Sequence, residues 1–391
     1  MRRLLVLVCS IVFVDAMLFG ALAPLVPGYA DEFGLSKPGA GLLVGAFGAG
    51  ALCGGIPGGI AAGRLGPKRA VVIGLLFLAL GSFGFALASG PWALGISRFV
   101  QGFSSTITWA GALAWLTVET PRSRRGELIG TAFGAAVFGA IIGPMFGAIA
   151  QEVSIRGTFG AVGAIAVGLA LWAATRASAQ QMPSTPSSLP RAFRDRAFVG
   201  GLWLNTLPAL LFGLMVVLVP LSLDEAGYGA IAIGLVFLGS GLLETVVNPL
   251  LGRFSDRHGR LLPIRVALAA SVAVATAFAF ANRPAFVIAL VFVAALAFGG
   301  FYTPGMALVS DCAEAAGLAQ GMGFGIMNTA WALGNMTGPA AGGALAAGAG
   351  DALPYLLAAG LCALTLAVSF RPGSARAPIR RPADAGSSAP R

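Results

Sequence analysis

Apolar residues run in long blocks along this chain, separated by short polar turns at near-regular intervals. Each block is close to the ~20 residues that a transmembrane helix needs. Twelve blocks meet that length, at roughly 4–26, 40–62, 70–89, 92–115, 128–150, 157–175, 198–221, 230–251, 262–281, 285–306, 319–346 and 352–370. The one long internal break, 176–196, is rich in Ser, Pro and Arg and reads as a solvated linker. Residues 371–391 read as a disordered basic tail. The pattern predicts an all-α membrane protein with a six-helix bundle over 1–175 and another over 197–370.

Polar positions inside the blocks are few, and they are not scattered. Asp15 lies near the middle of span 1, Arg98 below the outer end of span 4, and Glu244 two-thirds of the way along span 8. An ionisable group at mid-membrane costs ~3 kcal/mol by insertion scales, so each is expected in the bundle interior or beside water. On span 4, Arg98, Gln101, Ser105 and Thr108 fall at helical spacing on one face. Ser240, Glu244 and Asn248 do so on span 8, and Asn328, Trp331 and Asn335 on span 11. Asn205, Tyr302, Trp109 and Trp203 complete the candidate lining of a central cavity for a flat or cationic solute. Burial favours a neutral Asp15, while a nearby Arg98 favours the carboxylate. Proton and substrate can then compete for one acid. A static Asp15–Arg98 bridge joining spans 1 and 4 is the alternative, and a plain hydrogen-bonding role is the alternative for Glu244.

The two halves repeat. A basic Gly turn, Gly59-Ile60-Ala61-Ala62-Gly63-Arg64-Leu65-Gly66, returns 193 residues later as Gly252-Arg253-Phe254-Ser255-Asp256-Arg257-His258-Gly259-Arg260. Gly143-Pro144-Met145-Phe146-Gly147 returns 195 residues later as Gly338-Pro339-Ala340-Ala341-Gly342, and Glu119 has a counterpart in Asp311 at an offset of 192. A parallel repeat of this kind places a substrate site between the halves, near mid-membrane.

Composition agrees. The 391 residues are 57% hydrophobic and 10% charged, with 57 Gly that suit close helix approach in lipid. The net charge of +10 would suit nucleic acid, but the basic residues sit in short loops. With the N-terminus inside, 21 of the 25 Lys and Arg fall on the inner side. That bias predicts cytoplasmic termini. Met1-Arg2-Arg3 and the following run resemble a secretory leader. The run holds Asp15 and continues through Pro24 and Pro27, so it reads as an uncleaved first span. Cys9, Cys53, Cys312 and Cys362 are scattered and His258 is the only His, which excludes a structural zinc or a disulfide framework.

With these motifs in order, the chain resembles the major facilitator superfamily, and within it the twelve-span drug/proton antiporters, over residues 1–370. Arg98-Phe99-Val100-Gln101-Gly102 matches the Arg-x-x-Gln-Gly signature of span 4. Gly139-x-x-x-Gly143-Pro144-x-x-Gly147 matches the antiporter signature of span 5, and Pro24 and Pro27 resemble the end of span 1. The resemblance implies a conformational latch at Gly59, Arg64, Gly66 and Glu119, and at Gly252, Asp256, Arg257, Gly259, Arg260 and Asp311. The first copy departs from the signature, with Gly63 where the acid belongs and Pro67 in place of an Arg. It also implies helix bends at Gly143, Pro144, Gly147, Gly338 and Pro339. Span 1 also looks like that of vesicular amine transporters, whose span 11 acid would fall near Asn328.

No Gly-x-x-x-x-Gly-Lys-Ser/Thr run exists to drive transport by ATP. Gly-x-Ser-x-Gly is also absent, so an intramembrane hydrolase is not expected. The expected function is proton-coupled efflux of a small organic solute by alternating access, from a cytoplasmic membrane. The expected protein is a monomer in the lipid bilayer, with no metal, no cofactor beyond the proton gradient and no nucleic-acid partner. A facilitator or importer with the same fold is the second reading, and a non-transporting sensor the third.

Overall fold

The computed structural model describes residues 2–120, 125–176, 192–258, 261–316 and 320–370. These form fourteen α-helices and one 3-10 turn. The first half holds α1 (Arg2–Gly20), the turn Ala23–Leu25, α2 (Val26–Phe33), α3 (Lys37–Arg64), α4 (Pro67–Ala86), α5 (Pro91–Glu119), α6 (Arg125–Val153) and α7 (Ile155–Ala174). The second holds α8 (Arg196–Glu225), α9 (Ala230–His258), α10 (Leu261–Ala279), α11 (Pro284–Gly299), α12 (Tyr302–Ala315), α13 (Gln320–Ala349) and α14 (Ala352–Ser369). The linker is described only in part, and the tail 371–391 lies outside the described residues.

Fourteen helices make twelve crossings because two spans are broken. The first span, expected at 4–26, runs from Arg2 to Phe33 and is interrupted after Gly20. Pro24 and Pro27 lack the N–H groups that would bond the Gly20 and Ala23 carbonyls, so a continuous helix is not available there. The tenth, expected at 285–306, breaks at Gly300–Phe301 and continues to Ala315. Here Pro304 removes the donor for the Gly300 carbonyl. By contrast Pro57, Pro144, Pro208, Pro220 and Pro339 all sit inside continuous helices.

Ten segments are long and apolar enough to cross a membrane by composition alone. The other two crossings are α5 and α13, of 29 and 30 residues. These are the spans whose polar stripes dilute the apolar signal, and both are interior. α5 packs between α3 and α4, and α13 between α3 and α8. Enclosure by apolar helices is what permits polarity at that depth.

The halves form two lobes with matching internal packing. Gly139, Gly143 and Gly147 of α6 lie on the backbone of the first span at Phe13 and Met17 of α1 and at Ala21 just beyond it. Gly334, Gly338 and Gly342 of α13 lie on α8 at Thr206, Leu210 and Leu214. The glycine triplets are offset by 195 residues and their seats by 193, so the sequence repeat is also a repeat of contacts.

An even number of crossings leaves Arg2 and Ser369 on one face, here the terminal face; the opposite face is the distal one. The lobes meet along α3–α13 and along α6–α9. At the first seam backbone rests on backbone: a Cβ on Gly45 would lie 2.8 Å from the Met336 carbonyl oxygen, and one on Gly48 2.6 Å from the Asn335 carbonyl carbon. At the second, a Cβ on Gly234 would lie 3.1 Å from the Pro144 carbonyl oxygen. Both seams are tight in their distal parts. Nearer the terminal face, Gly130 and Gly134 of α6 face open space.

Within the first lobe, a Cβ on Gly102 of α5 would strike the Phe47 carbonyl oxygen of α3 and lie 3.0 Å from the Ala51 nitrogen. Gly102→Val is therefore expected to destabilise the protein by ~1–3 kcal/mol through overpacking. Gly168→Ala, where nothing lies within 4 Å, is expected to be neutral. Thermal unfolding in detergent checks this, and an unshifted midpoint for Gly102→Val would refute the packing.

Candidate functional site

α5 supplies the frame of the site. Its 29 residues span about 42 Å at 1.5 Å per residue. Arg98, Gln101, Ser105 and Trp109 recur along one side, from about 10 Å to about 27 Å below the distal end. Asp15 of α1 faces the middle of this ladder. Its Oδ2 accepts hydrogen bonds from Ser105 Oγ at 2.7 Å and Trp109 Nε1 at 2.8 Å. Asp15 is buried, and its Oδ1 has no hydrogen-bond partner in the protein. Hydrogen bonds to a charged group are worth ~1.5–3 kcal/mol each. Two of them match the ~3 kcal/mol cost of an intramembrane acid, so the fold holds this carboxyl group without an ion pair.

Arg98 is occupied elsewhere. Its Nη1 donates to the Leu18 carbonyl at 3.1 Å and to Gln101 Oε1 at 2.9 Å, and its guanidinium lies 4.9 Å from the centre of the Phe47 ring. Leu18 has a carbonyl to offer because α1 ends two residues later, where helix carbonyls lose their i+4 donors. The break in the first span thus creates the acceptor that anchors the buried arginine. The static Asp15–Arg98 bridge is not what the structure contains.

One turn distal to Asp15, the Phe19 ring lies 5.2 Å from Phe47 and 5.1 Å from Trp331, centre to centre. Trp331 belongs to α13, so this contact crosses between the lobes. Below it, Trp109 meets Phe133 of α6 at 5.4 Å. Phe19, Trp109, Phe133 and Trp331 are all half-buried at mid-depth. Phe19 and Phe47 were not among the expected lining residues. A phenylalanine in an apolar block carries no mark of where it points, although the i+4 spacing from Asp15 was a usable signal.

In the second lobe Glu244 is half-buried and lies against Gly299, at the break between α11 and α12. A Cβ there would come within 3.0 Å of its carboxyl carbon. Tyr302, the first residue of α12, is within range of its charge. Asn205 donates through Nδ2 to the Met327 carbonyl at 2.6 Å, and Thr206 to Ala330 at 2.9 Å, which ties α8 to α13. Asn328 is half-buried beside Trp331, and Asn335 is buried at the seam opposite Gly48.

The structure takes several expected lining residues away from any space between the lobes. Thr108 is buried against Gly74 of α4, and the Gln101 stem packs on Gly81 of the same helix. Asn205 is buried in the α8–α13 contact. Trp203 donates to Thr365 Oγ1 at 2.9 Å on the outer side of the second lobe. Helical spacing gave the correct side of α5 only to within about a quarter turn, and α4 covers part of it.

Of the expected latch, Gly59 and Arg64 are exposed at the end of α3. Gly66 has φ +86°, a conformation that admits glycine and makes the tight turn into α4. Glu119 is half-buried at the end of α5. Gly252, Asp256 and Arg257 lie on α9 and Asp311 on α12, but their side chains, with that of Asn248, are outside the described set; Gly259 and Arg260 lie outside the described residues. Gly143, Pro144, Gly147, Gly338 and Pro339 seat α6 and α13 on their neighbours inside continuous helices.

Comparison with known proteins follows the same lines. Multidrug resistance protein 1 of Bacillus subtilis is 27% identical over 344 residues, covering 85% of this chain and 87% of that protein. Quinolone resistance protein NorA of Staphylococcus aureus is 26% identical over 345 residues, with the same coverage of 85% and 87%. Among solved structures, a bacterial homolog of the human lysosomal transporter Spinster, inward-facing and unoccupied, matches with a TM-score of 0.75 at 15% identity, covering 94% of this chain and 95% of that one. The nucleoside transporter NupG matches at 0.74 and 16%, covering 94% and 100%. Both share the fold. The Major Facilitator Superfamily profile matches residues 8–229 and 207–390. With its twelve crossings and its lobes packed on repeated glycines, the chain belongs to the Major Facilitator Superfamily of membrane transporters.

Proposed function

We propose that the protein exports a small organic solute in exchange for protons, and that Asp15 carries the proton. The observation that supports this most is the state of that carboxyl group: buried at mid-membrane, held through Oδ2 by two donors, with Oδ1 open to a proton, water or solute. Arg98 is tied to Leu18 and Gln101, so it does not consume the acid. Glu244 in the second lobe is the other acid available to coupling.

Alternating access gives the exchange its order. The distal seams are tight, and Phe19 meets Trp331 just distal to Asp15, which supports access to Asp15 from the terminal side. The Lys and Arg bias supports a cytoplasmic position for that side, in a protein of the cytoplasmic membrane. Solute entering from there displaces the proton; rocking the lobes apart at α3–α13 presents the site to the opposite side, where protonation releases the solute. The names of the relatives, which speak of multidrug and quinolone resistance, support an organic solute moving outward. The proton gradient supplies the energy, and one chain contains the whole site.

Asp15→Asn keeps an acceptor for Ser105 and Trp109 but cannot exchange a proton. In vesicles with an imposed pH gradient its efflux is expected to fall to background, while gradient-independent exchange of labelled for unlabelled solute persists. Full gradient-driven efflux by this variant would sink the role of Asp15. Flux in the native protein that ignores the gradient would instead favour a facilitator. Trp109→Phe removes one donor from a buried carboxylate and is expected to lower stability by ~1–3 kcal/mol, and by less in an Asp15→Leu background. Thermal unfolding of the four proteins gives that coupling, and strictly additive losses would contradict the hydrogen bond.

A further inference from the structure

At the distal rim, Lys37 of α3 donates through Nζ to both carboxylate oxygens of Asp351, at 2.7 and 2.8 Å. The partners are 314 residues apart and belong to different lobes. They lie at the end of the α3–α13 seam, where a Cβ on Gly343 would strike the Lys37 carbonyl oxygen. The pair is partly exposed, at 30% and 44% for the two side chains.

Lys37 is badly placed for its own helix, and Asp351 is well placed but does not use its position to cap. Lys37 is the first residue of α3, so its charge sits at the positive end of that helix. Asp351 occupies the N-cap of α14, where a carboxylate would normally accept from the first-turn N–H groups. It makes no such bond, and it holds helical backbone angles (φ −65°, ψ −19°) in place of the extended ones a capping residue adopts. Two other polar N-caps do bond their helices, Ser154 accepting from Gly157 N at 3.0 Å and Asp195 from Ala197 N at 2.8 Å, whereas Ser36 before α3 does not. Asp351 has given up its local role for a contact across the seam.

We propose that Asp351 is a two-position clasp: its carboxylate binds Lys37 when the distal face is shut and returns to cap α14 when that face opens. The inference rests on the alternating-access reading above. A cap and an exposed ion pair are interactions of the same order, so neither position dominates and the clasp biases the equilibrium without locking it. An opposing pair sits on the same rim. Asp31 of α2 and Asp224 of α8, on opposite lobes, lie within range of each other's charge, and Glu225 adds to it. Attraction at one point of the rim and repulsion at another suit a joint that must both close and part.

The test reads the rim directly. Spin labels are placed at exposed distal positions of the two lobes, Ser89 and Asn282, after the four cysteines are replaced by alanine, and their separation is measured in lipid vesicles without any gradient. Asp351→Asn and Lys37→Gln are each expected to raise the population with a wide distal rim about two- to fivefold. The double variant Lys37→Asp with Asp351→Lys restores the pairing across the seam and is expected to reverse most of that change. Single variants with native distance distributions, or a swap no better than the singles, would overturn the clasp. A native protein whose flux ignores a pH gradient defeats proton coupling but leaves this result standing, because the distances are read with no gradient present.

Discussion

Hydrocarbon offers no hydrogen bonds, and this constraint orders the molecule. Every polar side chain at depth has to find its partner within the protein. The chain meets the demand in part, by concentrating polar residues on α5 and α13 and wrapping those helices in neighbours, while Asp15 Oδ1, Ser82 Oγ and Thr108 Oγ1 stay buried without a hydrogen-bond partner. Asp15 depends on that enclosure, because its donors Ser105 and Trp109 are both on α5. Arg98 depends on it too, since one of its acceptors, the Leu18 carbonyl, is on α1. If α5 turned toward lipid, Asp15 would lose both donors and Arg98 that carbonyl, and nothing in a bilayer replaces them.

Glycine sets how closely these helices approach. α6 lies on the first span, and α13 on α8, through matching triplets whose closest neighbours are mostly backbone atoms, with the Leu214 side chain filling the contact at Gly342. Such contacts fix the relative position of two helices, because a slip of one residue would bring a larger side chain into the gap. The seam between lobes uses the same device with a different result. Along α3–α13, smooth backbone surfaces meet with few interlocking side chains, so they can separate without withdrawing knobs from holes. One kind of contact gives a rigid lobe when helices meet along several sides, and a parting surface when they meet along one.

Much of this could be read from the sequence. Block length gave the number of crossings, the Gly-Pro motifs gave the repeat, and an acid in an apolar run gave Asp15. Ser105 and Trp109 were noticed separately, one in a polar stripe and the other as an aromatic, because nothing in a linear pattern says that both point at the same carboxylate. The break in the first span is half visible through Pro24 and Pro27, but Pro57, Pro144 and Pro339 look the same in sequence and leave their helices intact. Phe19, Phe47 and Trp331 come from three helices, and Lys37 and Asp351 from opposite ends of the chain, so only tertiary structure joins them.

The interruption after Gly20 has a mechanical consequence. The stretch before it packs on α6 of its own lobe, whereas α2 beyond it lies between the lobes, touching α8 on one side and Gln151 and Phe85 of its own lobe on the other. The first crossing therefore joins both lobes at the distal rim, and its interruption lies within a few residues of the Leu18 carbonyl that holds Arg98, so the rim and the buried arginine share one stretch of backbone.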